Sequence, residues 1–329
     1  MTTAAEAAAD GDLPLQVILG PCDDMRAEVF VRVALATTSL RTVRLEGEFF
    51  GPECRRSITL PAGASLIDLG AGEAGLLAKA VLTEPAFWTP ELPNLYRLTA
   101  RLVADGQAVA TTTHRIGLRR SGVRGRSLWL EGRRWVPRGI ARRPQSCDLA
   151  IMRDASVAAV AADPPESLLA AADETGVAII AVAEMESGRP LDADALVERI
   201  ARWAMHPSVV LAILPRAFTD AELATVAASA RRLKGTMLLA AVVEAASPPP
   251  SGVPSGIDCL CVALGASGLP HDAWREAAPT VPLIAWQRDG EEEKAGRSGC
   301  DRLQAAVAAW GLADGRTHQP WDWAGYVVS

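Results

Sequence analysis

Val209-Val210-Leu211-Ala212-Ile213-Leu214 is an unbroken apolar run, with no polar side chain on either alternate face, as a strand covered on both sides requires. The residues before it, 192–204, and after it, 220–234, have helical spacing. Several such segments open on an Asp, which accepts hydrogen bonds from the free amides of a first helical turn. The alternation continues in both directions. Apolar runs at 157–162, 177–183, 237–243, 257–264, 282–286 and 324–328 are interleaved with helical segments at 166–175, 272–277 and 301–311. Counting 134–139 as the first strand gives eight, the number that closes a barrel of alternating strands and helices. Pro248, Pro249, Pro250 and Pro254 deny a helix to 247–256, so one crossover is expected to be irregular. This region is lean, about 205 residues where roughly 250 are usual.

Nearer the N-terminus the period falls to two. Val29, Val31, Val33 and Leu35 share one face of 27–35, and Glu28, Phe30, Arg32 and Ala34 share the other. Residues 97–103 alternate in the same way, and Asp105-Gly106 supplies a tight turn into 107–116, which predicts a hairpin. Further short strands at 42–49, 56–60, 65–69 and 78–82 follow the spacing of an immunoglobulin-like sandwich. The expected organisation is multidomain: a disordered tail at 1–12, an immunoglobulin-like β-sandwich at 13–120 and a reduced (β/α)8 TIM-type barrel at 125–329.

Composition narrows the function. Of 329 residues, 49% are hydrophobic and 22% charged, which excludes a disordered chain. No apolar run reaches the roughly 20 residues that a membrane-spanning helix needs, and 1–12 lacks the basic start and apolar core of a secretory signal. A soluble, cytoplasmic chain is expected. The net charge of -6 argues against a nucleic-acid partner. Six scattered cysteines fit a reducing compartment rather than a disulfide scaffold, and Cys259 and Cys261 are expected in the core rather than on a metal. The four histidines show no ligand spacing, so neither metal nor cofactor is expected.

Particular residues then point to a family. Phe87-Trp88-Thr89-Pro90-Glu91-Leu92-Pro93-Asn94-Leu95-Tyr96 is similar to the "LWSPExPxLY" signature of glycoside hydrolase family 2, the β-galactosidase, β-glucuronidase and β-mannosidase group. Arg115-Ile116-Gly117-Leu118-Arg119 resembles the family's "RxGFR" exit from its sandwich. Leu130-Glu131-Gly132-Arg133-Arg134 followed by Arg138-Gly139 resembles "LNGKPVxLRG" entering the barrel. Residues 168–176 are similar to the helix before "DELG", and His206-Pro207-Ser208-Val209-Val210 is similar to "NHPSII" before the fourth strand. The resemblance runs from about residue 15 onward, without the jelly roll that usually precedes the sandwich.

That resemblance implies a retaining mechanism with two carboxylates about 5 to 5.5 Å apart, one an acid/base and one a nucleophile. The acid/base closes a "WSxGNE" run, which here is Ala212-Ile213-Leu214-Pro215-Arg216-Ala217, so the position is Ala217. The nucleophile ends a "PxxxxE" strand, here Pro282-Leu283-Ile284-Ala285-Trp286-Gln287, and Gln287 cannot attack as a carboxylate does. The substrate segment "NAVRTSHYP" is shortened to 158–164 and lacks its Arg and His. Glu184 and the run Glu291-Glu292-Glu293 remain as candidate substitute acids.

One feature is peculiar to this chain. Arg115, Arg119, Arg120, Arg124, Arg126, Arg133, Arg134, Arg138, Arg142 and Arg143 fall in a window whose one acid is Glu131, which gives +9 and leaves -15 for the remainder. Such a layout favours oriented docking on an acidic surface; the alternative is a junction whose arginines pair with acids from elsewhere in the fold. Arg119, Arg120, Arg124, Arg126, Arg133, Arg134, Arg142 and Arg143 are the docking candidates. The expected function is a non-catalytic, glycosidase-like structural subunit. Its expected partner is an acidic protein surface or an anionic, membrane-associated complex, which makes it peripheral to the membrane through that partner. A carbohydrate-binding protein using the old cleft and a hydrolase with relocated carboxylates are the alternatives.

Overall fold

In the computed structural model the structure describes residues 13, 15–34, 43–72, 75–141, 147–184, 192–265, 268–277, 279–288, 296–313 and 321–329. The expected tail, Leu35, Arg142, Arg143 and Glu291 to Glu293 lie outside the described residues. Two compact units form. One comprises the chain up to Trp88 together with Leu92–Leu118, and the other comprises Thr89–Glu91 with Arg119–Ser329.

The first unit is built from β1 (Leu15–Cys22), β2 (Arg26–Val33), β3 (Val43–Glu53), β4 (Ala62–Ser65), β5 (Ile67–Gly72), β6 (Gly75–Thr83), β7 (Leu95–Ala104) and β8 (Gln107–Ile116). They make two antiparallel sheets, ordered β1-β2-β6-β5 and β4-β3-β7-β8. The alternation dictates the packing: Val29, Val31 and Val33 are fully buried with Leu76, Ala78, Ala80, Leu45, Phe49 and Leu98. The β7–β8 hairpin turns through Asp105 and Gly106, both at positive φ (51° and 82°), as a two-residue turn matched to strand twist requires. Residues 56–60 do not form the expected strand. Ser57 to Leu60 lie outside any ladder, with Ile58 and Leu60 facing solvent, and pairing resumes only at β4. Their alternation is genuine, but no neighbouring strand receives it.

The second unit opens with a small antiparallel sheet of β9 (Ser121–Arg124), β10 (Ser127–Leu130) and β11 (Arg133–Trp135), in the order β11-β10-β9. Here the expected first barrel strand at 134–139 is corrected. Pro137 cannot donate to a ladder, so the segment divides into β11 and a true first barrel strand, β12 (Arg138–Ala141). Then follow α1 (Leu149–Asp154), β13 (Ala158–Ala162), α2 (Glu166–Thr175), β14 (Ile179–Val182), α3 (Ala193–Ala204), β15 (Val209–Ile213), α4 (Asp220–Ala230), β16 (Leu238–Glu244), β17 (Cys259–Leu264), β18 (Leu283–Gln287), α5 (Arg297–Gly311) and β19 (Gly325–Val328). β12 to β19 pair in parallel with their successors, and β19 returns to β12, which closes the eight-stranded barrel.

The barrel is lean because two crossovers carry no α-helix: 245–258 is irregular, as its prolines demand, and the link from β17 to β18 holds one 3-10 turn at Asp272–Trp274 in place of the helix expected at 272–277. Asp192 and Asp148 cap α3 and α1, whereas α4 is capped by Thr219 through a reciprocal box with Glu222. α5 begins at Arg297, ahead of the Asp301 expected to open it. Ala159, Ala161, Ile179, Ala181, Leu239, Ala241, Leu260, Val262, Leu283 and Ala285 pack between strands and helices. Their alternates, including Val160, Ile180, Leu211, Cys259, Cys261, Ile284, Trp286 and Val327, are buried on the opposite, interior face. A Cβ on Gly139 would lie within 3.1 Å of the side chains of Val160, Val327 and Ile180, so the interior is packed at that level.

Candidate functional site

In a barrel of this kind chemistry belongs at the C-terminal ends of the strands, where loops rather than packing fix the residues. Ala217 lies just beyond β15, the fourth barrel strand, in an exposed turn closed by Phe218 N–H donating to Pro215 O (3.4 Å). Gln287 ends β18, the seventh strand, and is half-buried; a Cβ on Gly268 would lie 3.5 Å from its Nε2. Ala217 thus follows the fourth barrel strand and Gln287 ends the seventh.

The polar groups around them are occupied. Arg216, beside Ala217, pairs with Glu244 at the end of β16 (2.6 Å). Arg199 of α3 pairs with Asp163 beyond β13 (2.8 Å) and donates to the Glu184 carbonyl (3.1 Å). Asp163 holds a left-handed backbone (φ 36°), a strained conformation for a residue with a side chain. Trp286 points into the barrel one residue before Gln287. Its Nε1 donates to Ser329 Oγ (3.1 Å), and the Arg288 guanidinium stacks 4.2 Å from its ring centre. The interior below the mouth is thus filled by an indole under a cation. Glu184 is exposed. Glu244 is an acid that the sequence reading missed, because it closes an apolar strand without any motif around it. Among the described residues no three His, Cys, Asp or Glu side chains group as metal ligands.

The opposite end of the barrel explains several of the family-like motifs. Arg119 is buried, and its Nη1 donates to the carbonyls of His206 (3.3 Å), Pro207 (2.5 Å) and Val209 (2.6 Å). Burial pulls its pKa down to about 10 against the opposing charge of Asp173. His206 sits between Asp173 (Nδ1 to Oδ2, 2.7 Å) and Glu166 (Nε2 to Oε1, 3.0 Å), and Ser208 N–H donates to Asp173 Oδ1 (3.0 Å). Burial alone would lower the His206 pKa, but the hydrogen bonds and charges of the two carboxylates raise it to about 9. These residues support the N-terminal end of β15 and lie away from the mouth.

The arginine run does not stay together. Arg119 is internal and cannot contribute to a docking face. Arg120 donates to both carboxylate oxygens of Glu131. Arg115 faces Glu53 (3.5 Å), and Arg138 faces Asp301 (2.7 Å) and Gln304 (2.7 Å). Arg124, Arg126, Arg133 and Arg134 are exposed.

Residues 19–119 match the model of the family described as "Glycosyl hydrolases family 2". Similar solved structures include a putative β-galactosidase from Bacteroides fragilis (14% identity, TM-score 0.64, covering 99% of this chain and 55% of that one). Others are a β-glucuronidase from Bifidobacterium dentium (13%, 0.63, 95% and 59%) and a family 2 glycosyl hydrolase from Bacteroides cellulosilyticus (17%, 0.65, 95% and 43%). This chain spans about half the length of these relatives. In the sequence of residues 19–119 and in the folds of its sandwich and barrel, the chain is similar to the family 2 glycosyl hydrolases, as its motifs lead one to expect.

Proposed function

We propose that this chain is a non-catalytic, glycosidase-like protein that serves as a structural and interaction subunit of a larger assembly. The observation that carries the reading is the pair of strand ends at which Ala217 and Gln287 stand where the resemblance calls for two carboxylates. Retaining hydrolysis needs a proton donor and a nucleophile across one bond, and an alanine and an amide supply neither. The Arg216–Glu244 pair supports the same reading, since it engages Glu244, an acid near the mouth, with a cation. In this proposal the sandwich is immunoglobulin-like, a reading supported by its two four-stranded antiparallel sheets. Placement in the cytoplasm, extrinsic to a membrane complex, is supported by six free thiols and by the lack, among the described residues, of any helix long and apolar enough to span a bilayer.

The test is a panel of nitrophenyl glycosides. No hydrolysis above background is expected from the chain or from Ala217→Glu/Gln287→Glu, because that variant still carries Arg216 and the shortened segment at 158–164 without its Arg and His. Turnover that disappears in Glu184→Gln or Glu244→Gln would overturn the reading in favour of relocated carboxylates.

A further inference from the structure

The small sheet β9–β10–β11 has one face committed and one free. Leu128 (0% exposed) and Leu130 (6%) point inward, and Ser121 Oγ on the same side donates to Thr236 O (2.5 Å). Strand alternation then sends the in-register row Gly122, Trp129 and Arg134 to the outer face. On that face the Arg124 guanidinium lies 4.4 Å from the centre of the Trp129 ring, and Arg134 is the direct cross-strand neighbour of the same indole. Arg126 stands in the β9–β10 turn, exposed and, among the described residues, without an acidic partner, whereas Arg133 pairs in register with Leu130 and belongs to the other side of the sheet. Arg134 is held only by a 3.9 Å approach to Asp322, itself 76% exposed. A Cβ added at Gly122 would meet nothing within 4 Å, so the space beside the indole is open.

We infer that this face binds a short acidic segment of a partner protein, with Asp or Glu carboxylates paired to Arg124, Arg126 and Arg134 around Trp129. The inference rests on the proposed interaction role and gives it a surface and a chemistry. Arginine is suited to carboxylates because its fork makes two parallel hydrogen bonds, and Trp and Arg are both enriched among the residues that carry most of the binding energy at protein interfaces. The occupant is short because residues 120–135 carry five Arg and one Glu while the whole chain carries -6. A long polyanion such as nucleic acid would run off the patch onto acidic surface, whereas charges beyond about 10 Å are screened in 0.1 M salt.

The probe is a fluorescein-labelled oligoglutamate peptide, followed by anisotropy in low and high salt. Binding is expected, weakening with salt, and reduced about tenfold or more in Arg124→Ser/Arg134→Ser. The variant Arg231→Ser/Arg232→Ser removes the same charge from exposed residues after α4 and is expected to bind as the unaltered chain does. Both double variants are checked for folding by circular dichroism. Should Arg124→Ser/Arg134→Ser misfold, the turn variant Arg126→Ser is expected to weaken binding by itself, and unchanged binding in it would count against the inference. Equal losses in both double-arginine variants would overturn the inference. Binding to phosphatidylserine vesicles or oligothymidylate without binding to the peptide would do the same. Glycoside turnover reports on the catalytic reading alone, so the two ideas fail separately.

Discussion

Arg119 and His206 show how much a single buried charge organises. Three carbonyls converge on one guanidinium nitrogen, and Arg119→Met would leave all three without that donor. His206 makes a pH-dependent contribution with a definite sign. Its folded pKa, about 9, lies above the ordinary 6.5, so its stabilisation is complete below pH 6.5 and is lost as pH rises through about 9. The melting temperature is expected to fall over that window, and His206→Gln is expected to flatten the slope; an unchanged slope in the variant would remove His206 as its source. The motif His206-Pro207-Ser208 is plain in the sequence, but its partners Asp173 and Glu166 are not. They lie more than thirty residues away, both on α2, and only the fold brings them to the imidazole. For the same reason the Arg199–Asp163 and Arg216–Glu244 pairs at the mouth were illegible, whereas Ala217 and Gln287 are assigned from motif spacing alone.

Among the elements, α2 ends on Gly176, whose φ of 78° is left-handed and whose added Cβ would fall 2.3 Å from Pro90 O. Gly176→Ala therefore combines backbone strain with a backbone clash, and a loss of about 2 kcal/mol or more is expected in a urea titration. A neutral substitution would show that the 89–91 segment moves aside freely. Strands with a strong local cause were legible. β2 announces itself through Val29, Val31 and Val33, and β15 through six successive apolar residues. The β9–β11 sheet was not, because its strands are three or four residues long and its arginines break any apolar period. The segment 134–139 misled for the opposite reason: Trp135 and Val136 are apolar, but Pro137 ends one sheet before the barrel begins.

For the molecule as a whole, the barrel count was correct because burial on both faces leaves a compositional mark on β13 to β19, with the first strand misplaced by a few residues, while the charge layout told less than it promised. Of the described arginines in the +9 window, one is structural and several are paired, which leaves the exposed ones around one small sheet, so linear charge density overstated the docking surface. The cysteines on the inward face of β17 have a further consequence. Burial raises the thiol of Cys259 well above its ordinary pKa and lifts those of Cys261 and Cys300 to about 12 and about 11, so these sulfurs are neither ionised nor reachable while the barrel stands. Cys22, Cys54 and Cys147 are only partly buried. The thiolate is the reactive form, so the chain carries its own stopwatch. With a disulfide reagent in excess, a fast phase from the three accessible sulfurs should precede a slow one from the barrel, whose rate constant measures how often the interior opens and, in rising urea, converges on global unfolding. A single fast phase for all six would mean that the barrel breathes faster than the reagent reacts.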